Sequence, residues 1–161
     1  AAHGRGVMHR DVKPGNVVID SAGLAHLIDF GIARKTGDAT LTVAGFVLGT
    51  PDFLAPEVAC GERATPASDS WQLAATVSYA LTGQPPRGSH SDAVSGLRAA
   101  AAGARLSHLP MRSAHLGLLR AALDNDPMRR PPLHIVQRTL EDYLHRAGAR
   151  PDGPVTAGRA R

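Results

Sequence analysis

The sequence is poor in residues that several protein classes require. Cys60 is the single cysteine among 161 residues, which excludes an internal disulfide and a cysteine-rich metal site. Aromatic residues are limited to three Phe, two Tyr and one Trp, so we expect a core built mainly from Ala, Val, Leu and Ile. Apolar residues still make up 43% of the chain and charged residues 20%. Such a composition is typical of a soluble globular domain.

Long apolar runs are also lacking. The longest candidate, Leu73 to Leu81, is much shorter than the roughly 20 residues that span a bilayer, and it contains Thr76 and Ser78. No charged start followed by an apolar run marks a signal peptide. We therefore expect a cytoplasmic chain with no membrane segment of its own, although a parent protein could be membrane-anchored.

The net charge of +4 does not indicate a nucleic-acid partner. The basic residues are scattered among acidic ones, with no dense run and no interleaved aromatic residues, whereas nucleic-acid-binding surfaces concentrate their basic residues. We expect a mildly basic surface and no nucleic acid.

The apolar pattern predicts a little β-structure, one long loop and then helices. Val17 to Asp20 and Ala25 to Ile28 are short strand-like runs separated by Ser21-Ala22-Gly23, which predicts a hairpin. Ser68 is a candidate cap for the first long helix and Gly83 its stop. Helices are predicted over residues 67–81, 91–103, 113–123 and 133–146. Residues 147–161 are rich in Pro, Gly, Ala and Arg and are expected to form a disordered tail or linker.

Three motifs follow one another along the chain. The first is His9-Arg10-Asp11-Val12-Lys13-Pro14-Gly15-Asn16, which matches H-R-D-x-x-x-x-N at every fixed position. Asp29-Phe30-Gly31 comes next, and Ala55-Pro56-Glu57 follows a Thr-containing loop. A single triplet is a weak signal, but all three in this order resemble the protein kinase family, specifically its bacterial eukaryotic-like serine/threonine branch.

The resemblance covers residues 9 to 131 and implies an α+β fold. We expect residues 1–146 to be a partial protein kinase domain: the mainly α-helical C-terminal lobe of the protein-kinase-like fold, with a small β-hairpin at the catalytic loop. The glycine-rich loop and strand lysine that clamp ATP in the family do not occur among the 161 residues. We therefore expect the N-terminal β lobe to be absent from this chain and to be a missing partner.

The residue types suit phosphoryl transfer, in which catalysis is mainly positioning and electrostatic stabilisation. Asp11 can orient a substrate hydroxyl and accept its proton, and Lys13 is close enough in sequence to neutralise the γ-phosphate. Asn16 and Asp29 supply the oxygen ligands that Mg²⁺ prefers. The implied cofactors are ATP, contacted by Lys13, Asn16 and Asp29, and Mg²⁺, with Mn²⁺ as a possible substitute.

The resemblance also implies roles around the substrate. Lys13 in this motif is typical of kinases that phosphorylate Ser or Thr of a protein substrate, and Thr50 would bridge Asp11 and Lys13 beside that hydroxyl. Arg10 directly before Asp11 suggests a guanidinium that holds a phosphate on the activation loop. Thr40 and Thr42 are the candidate phosphosites.

Other matching positions are expected to be structural. His9 would brace the catalytic loop, Asp69 would hydrogen-bond its backbone, and Glu57 would form a buried ion pair with Arg130. The chain departs from the family pattern at three further positions, which in the family usually carry Gly, Tyr and Phe; here they are Ala74, Phe53 and Arg87.

These observations predict a serine/threonine protein kinase, present as a C-lobe fragment with little or no activity alone. A truncated remnant that acts as a non-catalytic binding module is the main alternative. A small-molecule phosphotransferase of the aminoglycoside type shares the core motifs. However, Lys13, Phe30-Gly31 and Ala55-Pro56-Glu57 favour a protein substrate.

Overall fold

The computed structural model describes residue 3 and residues 7–29 and 51–148, and there a small hairpin is followed by helices. Strand β1, Val17–Ile19, pairs antiparallel with β2, Ala25–Leu27, so that Val17 lies opposite Leu27. The helices are α1 Pro56–Ala59, α2 Pro66–Thr82, α3 Ala93–Ala101, α4 Leu116–Ala122 and α5 Leu133–Arg146. Short 3₁₀ turns lie at Pro14–Asn16, Pro51–Phe53 and Pro127–Arg129. The mainly helical α+β class agrees with the sequence.

The predicted hairpin is confirmed, and its turn is stabilised by one side chain. Oδ1 of Asp20 accepts hydrogen bonds of 2.9 Å from the backbone N–H groups of both Ala22 and Leu24. Gly23 adopts φ +82°, a left-handed conformation that glycine enters without steric cost. The run Ser21-Ala22-Gly23 therefore closes the two strands as the sequence suggested.

Helix α2 is confirmed, but its predicted cap is wrong. Thr65 is the N-cap residue, and its backbone N–H donates to Oγ of Ser68 at 2.9 Å. Ser68 is thus the third helical residue of a capping box, in which cap and third residue satisfy each other's N–H groups. Gly83 ends the helix as predicted, at φ +73°, with its N–H donating to the Tyr79 carbonyl at 2.7 Å.

The remaining helices are close to their predicted positions. The third predicted helix begins at Leu116 rather than Ser113, because residues 113–116 form a turn closed by the Leu116 N–H and the Ser113 carbonyl. Helix α1, with Pro56 at its first position, had no periodicity to reveal it because it is a single turn. Of the predicted tail, residues 147–161, only Ala147 and Gly148 are described, and they form the turn that ends α5; the rest lies outside the described residues.

The core is organised around α2. Trp71 is completely buried, and the small residues Ala74 and Ala75 beside it allow α4 to pack closely on α2. The buried apolar cluster consists of Phe53, Ala55, Val58, Trp71, Ala74, Ala75, Leu119, Ala122 and Leu123. The core therefore joins α2 and α4 to the segment that precedes and includes α1.

A second face of α2 is open to solvent. Leu73, Val77 and Leu81 recur every four residues, and their exposures are 38%, 40% and 51%. Residues at this spacing share one side of a helix, so they form an apolar stripe. In the described ranges 7–29 and 51–148, no helix combines the length and apolar character needed to cross a membrane.

A buried ion pair ties α1 to the chain before α5. Nη1 and Nη2 of Arg130 donate to the two carboxylate oxygens of Glu57, each at 2.7 Å. The other three N–H groups of the guanidinium are also bonded, to the carbonyls of Ala67, Asp124 and Asn125. A guanidinium has five N–H donors, and all five are satisfied here, as burial of a charge requires.

Replacing Glu57 with Gln should strongly destabilise the chain. Arg130 would keep its charge in a site where it is only 6% exposed, and breaking a buried pair costs about 3–5 kcal/mol. Urea unfolding followed by Trp71 fluorescence measures the loss. Glu62→Gln is the matched control, since Glu62 is exposed. The double variant Glu57→Gln/Arg130→Met should recover part of the loss because no unpaired charge remains. Equal stability of Glu57→Gln and Glu62→Gln would refute this assignment.

The pair should also make stability depend on pH. Burial is the largest single influence and alone would raise the pKa of Glu57, but the hydrogen bonds and charge of Arg130, together with hydrogen bonds from the backbone and Ser68, lower this pKa below its ordinary value of 4.5. A lowered folded-state pKa stabilises the protein above the unfolded value, and that contribution is lost as pH falls through the folded pKa. The difference in unfolding free energy between the natural chain and Glu57→Gln should therefore shrink below about pH 4.5. A difference that stays constant under acid would contradict the lowered pKa.

Candidate functional site

The catalytic-loop motif is anchored by one buried carboxylate. Asp69, in the first turn of α2, is 4% exposed. Its Oδ2 accepts from the backbone N–H of His9 and its Oδ1 from that of Arg10, both at 2.8 Å. Nε2 of His3 lies 2.8 Å from the same Oδ2. Three separate points of the N-terminal segment therefore converge on one side chain of the core helix.

Gln72 extends this anchor by one helical turn. Its Oε1 accepts from the Val12 N–H at 3.1 Å, and its Nε2 donates to the Arg10 carbonyl at 3.3 Å. Positions three apart lie on the same side of a helix, so Asp69 and Gln72 together face the loop. These contacts hold Arg10 at φ +69°, a conformation that a non-glycine residue keeps only when its surroundings fix it.

His9 connects the loop to the end of the hairpin. Its Nε2 donates to the Ile28 carbonyl at 3.0 Å, and its Nδ1 accepts from the Asp11 N–H at 3.3 Å. An imidazole with its proton on Nε2 satisfies both bonds. His9 is 4% exposed, so it acts as a fixed spacer between the chain at Asp11 and the chain leading into Asp29.

Asp11, Lys13 and Asn16 form the polar centre of the site. Nζ of Lys13 lies 2.9 Å from Oδ2 of Asp11. Nδ2 of Asn16 donates to the same Oδ2 at 3.1 Å and to the Asp11 carbonyl at 2.7 Å. The Asp11 side chain is 41% exposed, so its carboxylate is oriented by two donors and still open to a substrate from solvent.

Asp29 emerges beside Asn16. The Ile28 N–H donates to the Asn16 carbonyl at 2.9 Å, which continues the strand pairing by one residue. The next residue, Asp29, is exposed and has φ +54°. The 3₁₀ turn Pro14–Asn16 and the end of β2 therefore deliver both predicted metal-binding residues to the same edge of the hairpin.

The donor atoms at this edge fit a magnesium ion. The Asn16 amide nitrogen is directed at Asp11, so its oxygen, at the other end of the planar amide, is the atom available to a metal. The exposed Asp29 carboxylate would supply a second oxygen. Mg²⁺ is commonly held by one or two protein oxygens together with phosphates and water, and neither residue offers the nitrogen or sulfur that zinc prefers.

The structure thus brings together Asp11, Lys13 and Asn16, places Asp29 at the same edge, and gives His9, Asp69, Glu57 and Arg130 buried positions. Arg10 is exposed beside this centre. Thr50, Thr40 and Thr42 lie outside the described residues, as do Phe30 and Gly31.

Two anchoring residues were missed in the sequence. Gln72 was detectable, because it follows Asp69 by three residues and so shares its face of the helix. His3 gave no usable signal, since a lone histidine near glycines has no fixed role until its contact with Asp69 is known.

Comparison with known proteins places these features in a family. Residues 1–140 match the family model described as the protein kinase domain. Three curated relatives come from Mycobacterium tuberculosis. The serine/threonine-protein kinases PknD and PknA are each 45% identical, over 53% of this chain and over 13% and 20% of their own lengths. The serine/threonine-protein kinase PknK is 52% identical over 52% of this chain and 7% of its own length. The chain therefore matches a fifth or less of each relative.

Removing the Asp69 carboxylate should loosen the whole loop. Asp69→Ala leaves the N–H groups of His9 and Arg10 without their acceptor, and each such loss costs about 1–3 kcal/mol. We expect a total loss of about 2–6 kcal/mol in urea unfolding. Asp69→Asn retains one acceptor oxygen, so its unfolding free energy should lie between those of the natural chain and Asp69→Ala. The matched control is Asp142→Ala on the exposed side of α5. A loss no larger than that of the control would exclude the anchoring role.

Proposed function

This chain belongs to the protein kinase family, and from that premise we propose that it supplies the catalytic half of a serine/threonine protein kinase. The observation that carries the proposal is the arrangement around Asp11: one exposed carboxylate that Lys13 and Asn16 orient from 2.9 and 3.1 Å. The reaction is ATP-dependent transfer of a phosphoryl group to a Ser or Thr hydroxyl of a protein. The names of the matched relatives support this choice of substrate class.

Asp11 orients the substrate hydroxyl and accepts its proton as the new bond forms between that oxygen and the γ-phosphorus. The bond from phosphorus to the departing ADP oxygen breaks in the same step. Lys13 places a positive charge beside the carboxylate and the transferred group, where it stabilises the negative oxygens. The fixed loop contributes orientation, which is the main requirement of phosphoryl transfer.

Asn16 and Asp29 would hold Mg²⁺, or Mn²⁺ in its place, through their side-chain oxygens. When bound, the ion neutralises charge on the ATP phosphates. Lys13 contributes to the same phosphate-binding edge. We further propose that an N-terminal nucleotide-binding lobe completes the ATP site, because the glycine-rich loop and lysine that serve this purpose in the family are not among these 161 residues.

Protein-substrate positioning and regulation are assigned to residues 30–50, which lie in sequence between the two described parts of the chain. Thr50 would bridge Asp11 and Lys13 beside the substrate hydroxyl. Thr40 and Thr42 would accept regulatory phosphates, and Arg10 would bind one of them, since a guanidinium pairs well with phosphate. We place this activity in the cytoplasm; a longer parent protein could be anchored to the membrane.

A second candidate function is that of a non-catalytic binding module. The exposed stripe Leu73, Val77 and Leu81 on α2 favours it, because a row of apolar side chains in solvent is suited to a protein contact. The oriented Asp11, Lys13 and Asn16 favour catalysis, since a binding module has no need of that arrangement. Phosphotransfer measurements separate the two functions.

The isolated 161-residue chain should transfer little or no phosphate from ATP, and fusion to a nucleotide-binding lobe should restore transfer. The fusion places the N-terminal lobe of PknA before residue 1, and thermal unfolding verifies that it folds. In the fusion, Asp11→Asn should reduce the transfer rate about 100- to 10,000-fold, which is the usual contribution of a general base. Asp142→Asn is the matched control.

Radiolabelled ATP and a Ser/Thr peptide provide the readout. A folded fusion without transfer would contradict the kinase proposal and favour the binding module. Transfer by the isolated chain that Asp11→Asn abolishes would instead refute the requirement for a second lobe.

A further inference from the structure

Arg87 is a buried charge that the proposed mechanism does not use. It lies four residues beyond Gly83, in the loop after α2, and is 7% exposed. Its guanidinium carbon lies 4.1 Å from the ring centroid of Trp71, within the range of an attractive cation–π contact. Burial and the nearby charge of Arg130 lower the pKa of Arg87 to about 10, so it is still charged near neutral pH.

The guanidinium is only partly satisfied. Nη1 donates to the Leu54 carbonyl at 2.9 Å. Nε and Nη2 are buried and have no hydrogen-bond partner among the described residues. This contrasts with Arg130, whose five donors are all bonded. A buried charge without a carboxylate partner is unfavourable for stability, so packing alone does not account for an arginine at this position.

Arg87 contacts the segment 51–54, which His90 and Gly96 also contact. Nδ1 of His90 lies 2.7 Å from Oδ1 of Asp52. Gly96 lies so close that a Cβ atom there would be 3.2 Å from both Asp52 Oδ1 and the Pro51 Cβ. The loop after α2 and helix α3 therefore both contact residues 51–54.

Within this segment, Phe53 also packs edge-on against Tyr79 of α2, with ring centroids 5.6 Å apart. Residues 51–54 directly follow Thr50 in sequence. The segment is thus held by several contacts immediately after the residue assigned to the substrate hydroxyl.

We propose that Arg87 is a positioning residue for the protein substrate: stacked on Trp71, it holds the Leu54 carbonyl and so fixes the backbone of Pro51–Leu54. This inference rests on the proposed kinase function for the identity of the substrate. The hold on the segment itself does not depend on that function.

Arg87→Phe separates positioning from stability. A phenylalanine retains an aromatic contact with Trp71 and removes the unpaired charge, but it cannot donate to Leu54. The global stability of Arg87→Phe should therefore equal or exceed that of the natural chain, while the segment loosens. If Arg87 served stability alone, Arg87→Phe would lower global stability and would not loosen the segment selectively.

Amide hydrogen exchange in the 161-residue chain tests the hold directly. The Leu54 N–H donates to the Pro51 carbonyl at 3.0 Å. This N–H should exchange about tenfold faster in Arg87→Phe, because the hydrogen bond from the charged guanidinium to the Leu54 carbonyl is lost. The N–H of Leu123, the residue that caps the end of α4, donates to the Leu119 carbonyl at 2.9 Å, and its exchange rate should be unchanged. Arg87→Lys retains a charged donor and should restore part of the protection. Arg63→Phe, at an exposed arginine, is the matched control.

Unchanged exchange at Leu54, or an equal increase at Leu123, would overturn the proposal. Kinetics of the PknA-lobe fusion test the link to substrate: Arg87→Phe should raise KM for the peptide about tenfold and leave KM for ATP unchanged. An equal rise in both KM values would overturn that link. A folded fusion without activity would refute the kinase function and the substrate role, and the exchange result would still decide whether Arg87 holds the segment.

Discussion

The geometry of the candidate site depends on the Asp69 carboxylate. It is the point at which the core helix and the catalytic loop share hydrogen bonds, with the N–H groups of His9 and Arg10 bound at 2.8 Å each. Because Asp69 lies in the first turn of α2 beside fully buried Trp71, the loop inherits the rigidity of the core. The exposed carboxylate of Asp11 can then be oriented without being buried, which keeps it accessible to substrate.

Two buried arginines illustrate different uses of charge in this small domain. Arg130 has a carboxylate partner and five satisfied donors, so it serves as a crosslink between α1 and the chain before α5. Arg87 has one carbonyl and the face of Trp71. The first arrangement is accounted for by its structural role. In the second, Nε and Nη2 have no hydrogen-bond partner among the described residues. That difference explains why only Arg87 calls for an explanation beyond packing.

Much of the fold was predictable, and the reason is local. The hairpin, α2 and α5 each carry a periodicity or turn signal within their own residues, as with Gly23 and Gly83. Capping was not predictable from Ser68 alone, because Thr65 competes three residues earlier and the two side chains form one unit. The motif identified Asp11, Lys13 and Asn16 but not His3. The contact between His3 and Asp69 joins residues 66 positions apart in the sequence, and such a contact forms only when the chain folds.

Two non-glycine residues at positive φ, Arg10 and Asp29, flank the candidate site. Each such conformation costs about 1–3 kcal/mol and persists only where its neighbours enforce it. The Arg10 backbone is held on both sides, by Asp69 and Gln72. Asp29 follows Ile28, whose N–H and carbonyl are bound by Asn16 and His9. The hydrogen bonds that run from α2 through the loop to the hairpin therefore sustain the strained backbone that directs Asp11 and Asp29. For this reason the chemistry of the site cannot be separated from the integrity of the helical core.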